Sequence, residues 1–126
     1  MRSPACIQVE KPIKFLDEYI NSNRSLKMNV IIDLCVVPIG VGLSVSKYVA
    51  ACHDIINEAG LTSELHAYGT NIEGDWDKVF EVVKKCHERI HEMGAPRITT
   101  TIKAGTRIDR EQTMADKIAS VKRKLS

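Results

Sequence analysis

TSELHAYGTNIEGD, residues 62–75, lies between two stretches with helical spacing, and its reading decides the fold. From Thr62 to Tyr68 the side chains alternate. Ser63, Leu65 and Ala67 share one face; Glu64, His66 and Tyr68 share the other, as on a strand. Gly69 permits a bend or bulge, and Thr70 to Glu73 resumes an extended run. The middle of the chain therefore holds two strands in succession with no helix between them.

Upstream, Asn29 to Pro38 also reads as a strand. Val30, Ile32, Leu34 and Val36 fall on one face, and Ile31, Asp33, Cys35 and Val37 on the other. Pro38-Ile39-Gly40 stops it. A helix follows, with Ser44 or Ser46 as its expected cap and an apolar stripe of Val45, Tyr48, Val49, Cys52, Ile55, Ile56 and Ala59. Downstream of residue 74, Asp75 is placed to cap a second helix, striped by Trp76, Val79, Phe80, Val83, Cys86, Ile90 and Met93 and ended by Gly94 and Pro96. Arg97 to Ala104 is another strand, with Ile98, Thr100, Ile102 and Ala104 facing one way and Arg97, Thr99, Thr101 and Lys103 the other. Asp109 with Gln112 suits the start of a last helix, which presents Met114, Ile118, Val121 and Leu125. The order is βαββαβ plus a C-terminal helix. That order specifies an α+β fold of the ferredoxin-like kind, an antiparallel sheet with helices on one face.

The 126 residues suffice for one domain. Residues 1–28, with Pro4 and Pro12, read as an N-terminal extension, expected to be mobile, ahead of a domain spanning 29–126. Met28, directly before the first strand, is a second candidate start. Of the net charge of +2, the extension carries five Lys/Arg against three Asp/Glu, so the body is neutral. Scarce aromatics and the absence of a basic patch argue against nucleic acid. Cys6, Cys35, Cys52 and Cys86 form no C-x-x-C pair, which fits a reducing compartment. No apolar run reaches membrane-spanning length, and the N-terminus lacks a signal core, so the expected location is cytoplasmic.

His87-Glu88-Arg89-Ile90-His91 fits the H-E-x-x-H pattern of zinc proteases. A catalytic zinc needs a third protein ligand and an open position. No histidine follows His91, and the helix that carries the pattern is needed to cover the sheet. His87 reads as a histidine at the edge of the packed stripe and His91 as a solvated one. No metal or catalytic residue is expected.

The face turned away from the helices is richer. It collects Asp33, Cys35, Val37, Glu64, His66, Tyr68, Thr99, Thr101 and Lys103, with Asn71 and Glu73 beside them. Such a face suits open solvent, a subunit interface, or a pocket for a polar heterocycle. The residue pattern alone leaves the three open.

Three runs narrow the choice. They are Pro38-Ile39-Gly40, then His66 through Gly-Thr-Asn-Ile-Glu-Gly-Asp to Trp76, and then Ile102-Lys103-Ala104-Gly105-Thr106-Arg107. Across residues 29–125 the chain resembles the thiamine-binding protein family of small ferredoxin-like proteins. The resemblance implies a homodimer or homotetramer built by packing sheets. It also implies no catalysis, no cofactor, and a ligand, thiamine or its aminopyrimidine portion, near the subunit interface. Carried onto matching positions, Thr70 and Glu73 would contact the aminopyrimidine, and Val37 and Pro38 would form an apolar wall. Tyr68, Lys103 and Arg107 would lie beside them. Lys103 is an awkward neighbour for cationic thiamine unless Glu73 or Asp33 neutralises it. The expected function is a non-enzymatic, oligomeric binder of thiamine or a related aminopyrimidine. The rivals are an assembly module whose sheet face only joins subunits, and an enzyme acting on thiamine precursors.

Overall fold

The computed structural model describes residues 27–125. The N-terminal extension up to residue 26 lies outside the described residues. Met28 already belongs to the body, because its carbonyl accepts a 2.8 Å hydrogen bond from the Trp76 amide.

The elements run β1 (Asn29–Ile39), α1 (Ser46–Glu58), β2 (Thr62–His66), β3 (Gly69–Asp75), α2 (Trp76–Glu92), β4 (Arg97–Thr106) and α3 (Met114–Lys122). The four strands form one antiparallel sheet in the order β2-β3-β1-β4. This is the expected ferredoxin-like α+β architecture.

Period-two alternation puts Val30, Ile32 and Leu34 of β1 and Ile72 of β3 against α1 and α2. Tyr48, Cys52 and Ile56 of α1 meet Val79, Val82, Val83, Cys86 and Ile90 of α2 over that face. Ile32, Ile56, Ile72 and Ile90 are fully buried. Each contributes about 1.5–3 kcal/mol by leaving water. The two helix cysteines belong to this core. Donation of the Cys86 S–H to Cys52, together with burial, pushes the Cys86 thiol up, so it packs as a small apolar group.

Local details depart from the sequence reading at three points. Neither Ser44 nor Ser46 caps α1. Their hydroxyls lie 3.4 Å from each other, and the Val45 carbonyl takes the first helical amides instead. The chain turns at Ala67-Tyr68, with His66 paired to Gly69, so Gly69 starts β3 rather than forming the bend. The last helix begins at Met114 and not near Asp109. Thr113 and Asp116 form its capping box, each side chain bonding the other's amide at 3.0 Å.

Candidate functional site

The strand register assembles the site row by row. On the face away from α1 and α2, Glu64, Asn71, Asp33 and Lys103 lie opposite one another across all four strands. The next row is Thr62, Glu73, Ile31 and Gly105. These two rows floor an open cavity of about 1330 Å3, which the loop after β4 and the start of α3 overhang through Arg107, Met114, Lys117 and Ile118. Pockets for small ligands commonly span roughly 300–1,000 Å3.

Glu73 organises the cavity. Its Oε2 accepts a 2.8 Å hydrogen bond from the Met114 amide, the first N–H of α3. A carboxylate suits that place because it satisfies an orphan helix amide and meets the positive end of the helix dipole. The bond fixes α3 on the face opposite the other two helices, and Met114 is buried there. The rest of the expected stripe of α3 is not packed: Ile118, Val121 and Leu125 are 48%, 58% and 69% exposed. Glu73 Oε1 has no hydrogen-bond partner among the described residues, and Glu73 lines the cavity.

Asp33 is held differently. His66 Nε2 donates to its Oδ1 at 2.7 Å, while His66 Nδ1 accepts from the Tyr68 amide at 3.3 Å. The pair reaches across β3 at Gly69. A Cβ at Gly69 would sit 2.7 Å from the Leu34 carbonyl oxygen and 3.1 Å from Asp33 Oδ1, so close approach is what requires glycine there.

Arg107 grips its own loop. Its guanidinium donates to both carboxylate oxygens of Asp109, at 2.6 and 2.8 Å, and to Gln112 Oε1 at 3.2 Å. The Arg107 guanidinium holds the Asp109 carboxyl below the usual range, and the Thr113 amide and hydroxyl do the same for Asp116. Groups whose folded values are depressed stabilise the fold above their unfolded value, about 3.9, and lose that contribution as pH falls through the folded one. Acidification from pH 6 to pH 3 is therefore expected to release α3 and its loop first. Amide hydrogen exchange, corrected for intrinsic rates, will show α3 losing protection while β1 and β3 keep theirs; equal loss everywhere would refute it.

Of the seven residues named from the resemblance, the structure brings Glu73, Lys103 and Arg107 to one cavity. It separates the other four. Thr70 is 5% exposed on the opposite face, 3.0 Å from His53 Nε2 of α1. In a strand, residues three apart point to opposite faces, so Thr70 and Glu73 cannot share a ligand on one side of the sheet. Val37 is exposed on the open face, but four residues beyond Asp33, about 13 Å along the strand. Pro38 is buried on the helix side. Tyr68 stands almost free at the hairpin tip. The cavity also uses residues the sequence reading did not assign to the site. Gly105 has open space where a Cβ would stand, and Lys117 and the Met114 amide come from α3. Only the strand register and the placement of α3 reveal them.

The zinc-protease pattern is occupied by ordinary contacts. His87 Nε2 is hydrogen-bonded to Thr100 Oγ1 at 2.6 Å, and His91 Nδ1 donates to the Ala95 carbonyl at 2.8 Å. Among the described residues, no group of three His, Cys, Asp or Glu side chains converges to hold a metal. No described helix is long and apolar enough to cross a membrane.

Comparison with known proteins agrees with this architecture. A family model described as thiamine-binding protein matches residues 32–122. A UPF0045 protein of Synechocystis sp. is 64% identical over 98 residues, covering 78% of this chain and 81% of its own. A UPF0045 protein of Eremothecium gossypii is 44% identical over 101 residues, covering 79% and 96%. The crystal structure of a hypothetical protein from Methanocaldococcus jannaschii superposes with a TM-score of 0.70 at 30% identity, covering 75% of this chain and 96% of that one. With the family model spanning most of the domain and the relatives this similar, the chain belongs to the thiamine-binding protein family.

Proposed function

We propose that the protein is a non-enzymatic, oligomeric binder of thiamine or a related aminopyrimidine, held in the cavity beneath α3. The observation that carries this is Glu73. Its carboxylate is half-buried, fixed by one oxygen to the Met114 amide, with the other oxygen unpartnered at the cavity wall. A carboxylate fixed in this way is prepared to accept from the exocyclic amine of an aminopyrimidine. Asn71, beside Asp33 in the row above, donates one amide hydrogen to the Ile32 carbonyl at 3.5 Å and has a second to offer a ring nitrogen. Asp33 supplies negative charge for the cationic thiazolium ring. The family name supports the same ligand. Free thiols at Cys35, Cys52 and Cys86 suit the cytoplasm as the setting.

Glu73→Gln tests the site with little change in shape. The amide oxygen of Gln can still accept from Met114, so α3 stays in place. Its NH2 then meets the ligand amine donor to donor. Charge-assisted hydrogen bonds of this kind contribute about 1.5–3 kcal/mol, so thiamine affinity measured by isothermal titration calorimetry should fall roughly 10- to 100-fold. Unchanged affinity would remove Glu73 from the site.

A second reading rests on the uncovered end of the same face. Val37 and Ile39 at the end of β1 are 42% and 41% exposed, and Cys35, Thr99 and Thr101 lie near Val37 on the open face. That end suits a partner sheet, and an assembly module without a small ligand needs nothing more. Native mass spectrometry separates the two readings. A dimer or tetramer that gains thiamine in fixed ratio supports the binder; an oligomer that ignores thiamine supports the module.

A further inference from the structure

Resting on the thiamine reading, we infer that the cavity takes a phosphate ester of its ligand, with the phosphate seated against Lys103, Arg110 and Lys117. The argument begins with the balance of partners around the cavity. Its floor and rim carboxylates are largely engaged by the protein itself. Glu73 accepts from the Met114 amide, Asp33 from His66, and Asp75 from the Lys78 amide at 3.2 Å. The cations are not so engaged. Lys103, Arg110 and Lys117 line the cavity, yet none has a carboxylate oxygen within 4.0 Å among the described residues. Arg107, by contrast, directs three of its five N–H donors to Asp109 and Gln112.

The charges are also separated in space. The row across the sheet runs from Glu64 on the edge strand β2, through Asn71 and Asp33, to Lys103 on the opposite edge strand β4. Three strand spacings put its ends about 14 Å apart. Arg110 and Lys117 follow Lys103 in the chain and line the same cavity with Glu111, and the Arg110 charge also acts on the carboxylates of Asp109 and Asp116, which are held by Arg107 and Thr113. The site thus has its acceptors on β3 and β1 and three cations gathered beyond β4, while Lys27 and Lys78 also line it near Asp75. Unesterified thiamine ends in a neutral hydroxyethyl group and brings a positive ring, so it offers those cations no negative charge. A phosphate on that hydroxyl makes the ligand anionic where these three cations stand and lets it run across the strands over two neighbouring rows: aminopyrimidine at Glu73, thiazolium over Ile31 and Gly105, phosphate at Lys103, Arg110 and Lys117. This also answers why a lysine stands beside a site for a cation. Phosphate contacts of this type are charge-assisted and weaken with salt.

The test is calorimetric titration of the full chain with thiamine, thiamine monophosphate and inorganic phosphate, at low and moderate salt. It is repeated on an Arg110→Gln/Lys117→Gln variant whose fold is checked by circular dichroism. The expected result is a monophosphate at least 10-fold tighter than thiamine, an advantage that shrinks with salt and collapses to a ratio near one in the variant. Equal affinities for thiamine and its monophosphate would overturn the inference and leave the thiamine site standing. A preference that survives in the variant would overturn the assignment of these cations. Inorganic phosphate binding as tightly as the ester would overturn it too, because the thiamine portion would then add nothing. Binding of none of the three would overturn this inference and the thiamine reading together.

Discussion

Gly105→Leu is expected to abolish thiamine binding, with affinity falling more than 100-fold and the fold unchanged. Gly105 faces Ile31 across the β1–β4 ladder, on the floor of the cavity. Its backbone is not in the left-handed region, and a Cβ there would meet no atom within 4 Å. Glycine at this position is therefore required neither by conformation nor by close packing of the protein against itself. The space it leaves opens into the cavity. A leucine adds four carbons directly above the floor, where the flat ring of the proposed ligand would lie. Loss of a ring contact together with its displacement costs on the order of 3 kcal/mol or more, hence the two decades. Glycine in a strand is slightly unfavourable, so stability should hold or rise by a few tenths of a kcal/mol. Gly105→Ala serves as the graded control and should bind with intermediate affinity. A leucine variant that binds normally would place the ligand elsewhere.

The fold was legible because its signals are periodic and local. Alternation on β1 and β4 assigns both faces of the sheet, and the stripes around Cys52 and Cys86 name the helix faces that cover it. Features decided by contacts distant in sequence were not legible. Gly69 reads as a bend, yet its role is to pass beneath Asp33 and His66, 36 and 3 residues away. The start of α3 was missed because Asp109 and Gln112, which look like a cap, are both engaged by Arg107, while the capping pair is Thr113 and Asp116. Which of the named residues lie together was legible in part. Glu73, Lys103 and Arg107 meet at one cavity, but Thr70 does not, and the sequence already held the reason. An interval of three within a strand reverses the face, so a motif that joins Thr70 to Glu73 spans the sheet rather than one surface of it. Thr70 belongs instead to the packing, where its hydroxyl answers His53.

The same alternation predicts that stability and affinity separate at adjacent residues of β3. Ile72 lies between Asn71 and Glu73, pairs with Ile32 and Ser63, and is fully buried beneath the helices. Ile72→Ala removes three carbons from that core and leaves a void that the flanking strands, fixed by their ladders, cannot fill. Substitutions of this kind cost about 2–5 kcal/mol. A domain of this size has about 5–15 kcal/mol in total, so the variant should lose a large share of its stability, visible as a lower urea midpoint at constant slope. Its side chain never reaches the cavity on the other face. Thiamine affinity, measured well below the variant's melting temperature, should therefore stay within about twofold of the parent, while Glu73→Gln next to it does the reverse. If Ile72→Ala weakened binding as strongly as Glu73→Gln, the cavity would depend on the rigidity of the whole sheet. The division of β3 into a packing face and a recognition face would then be wrong.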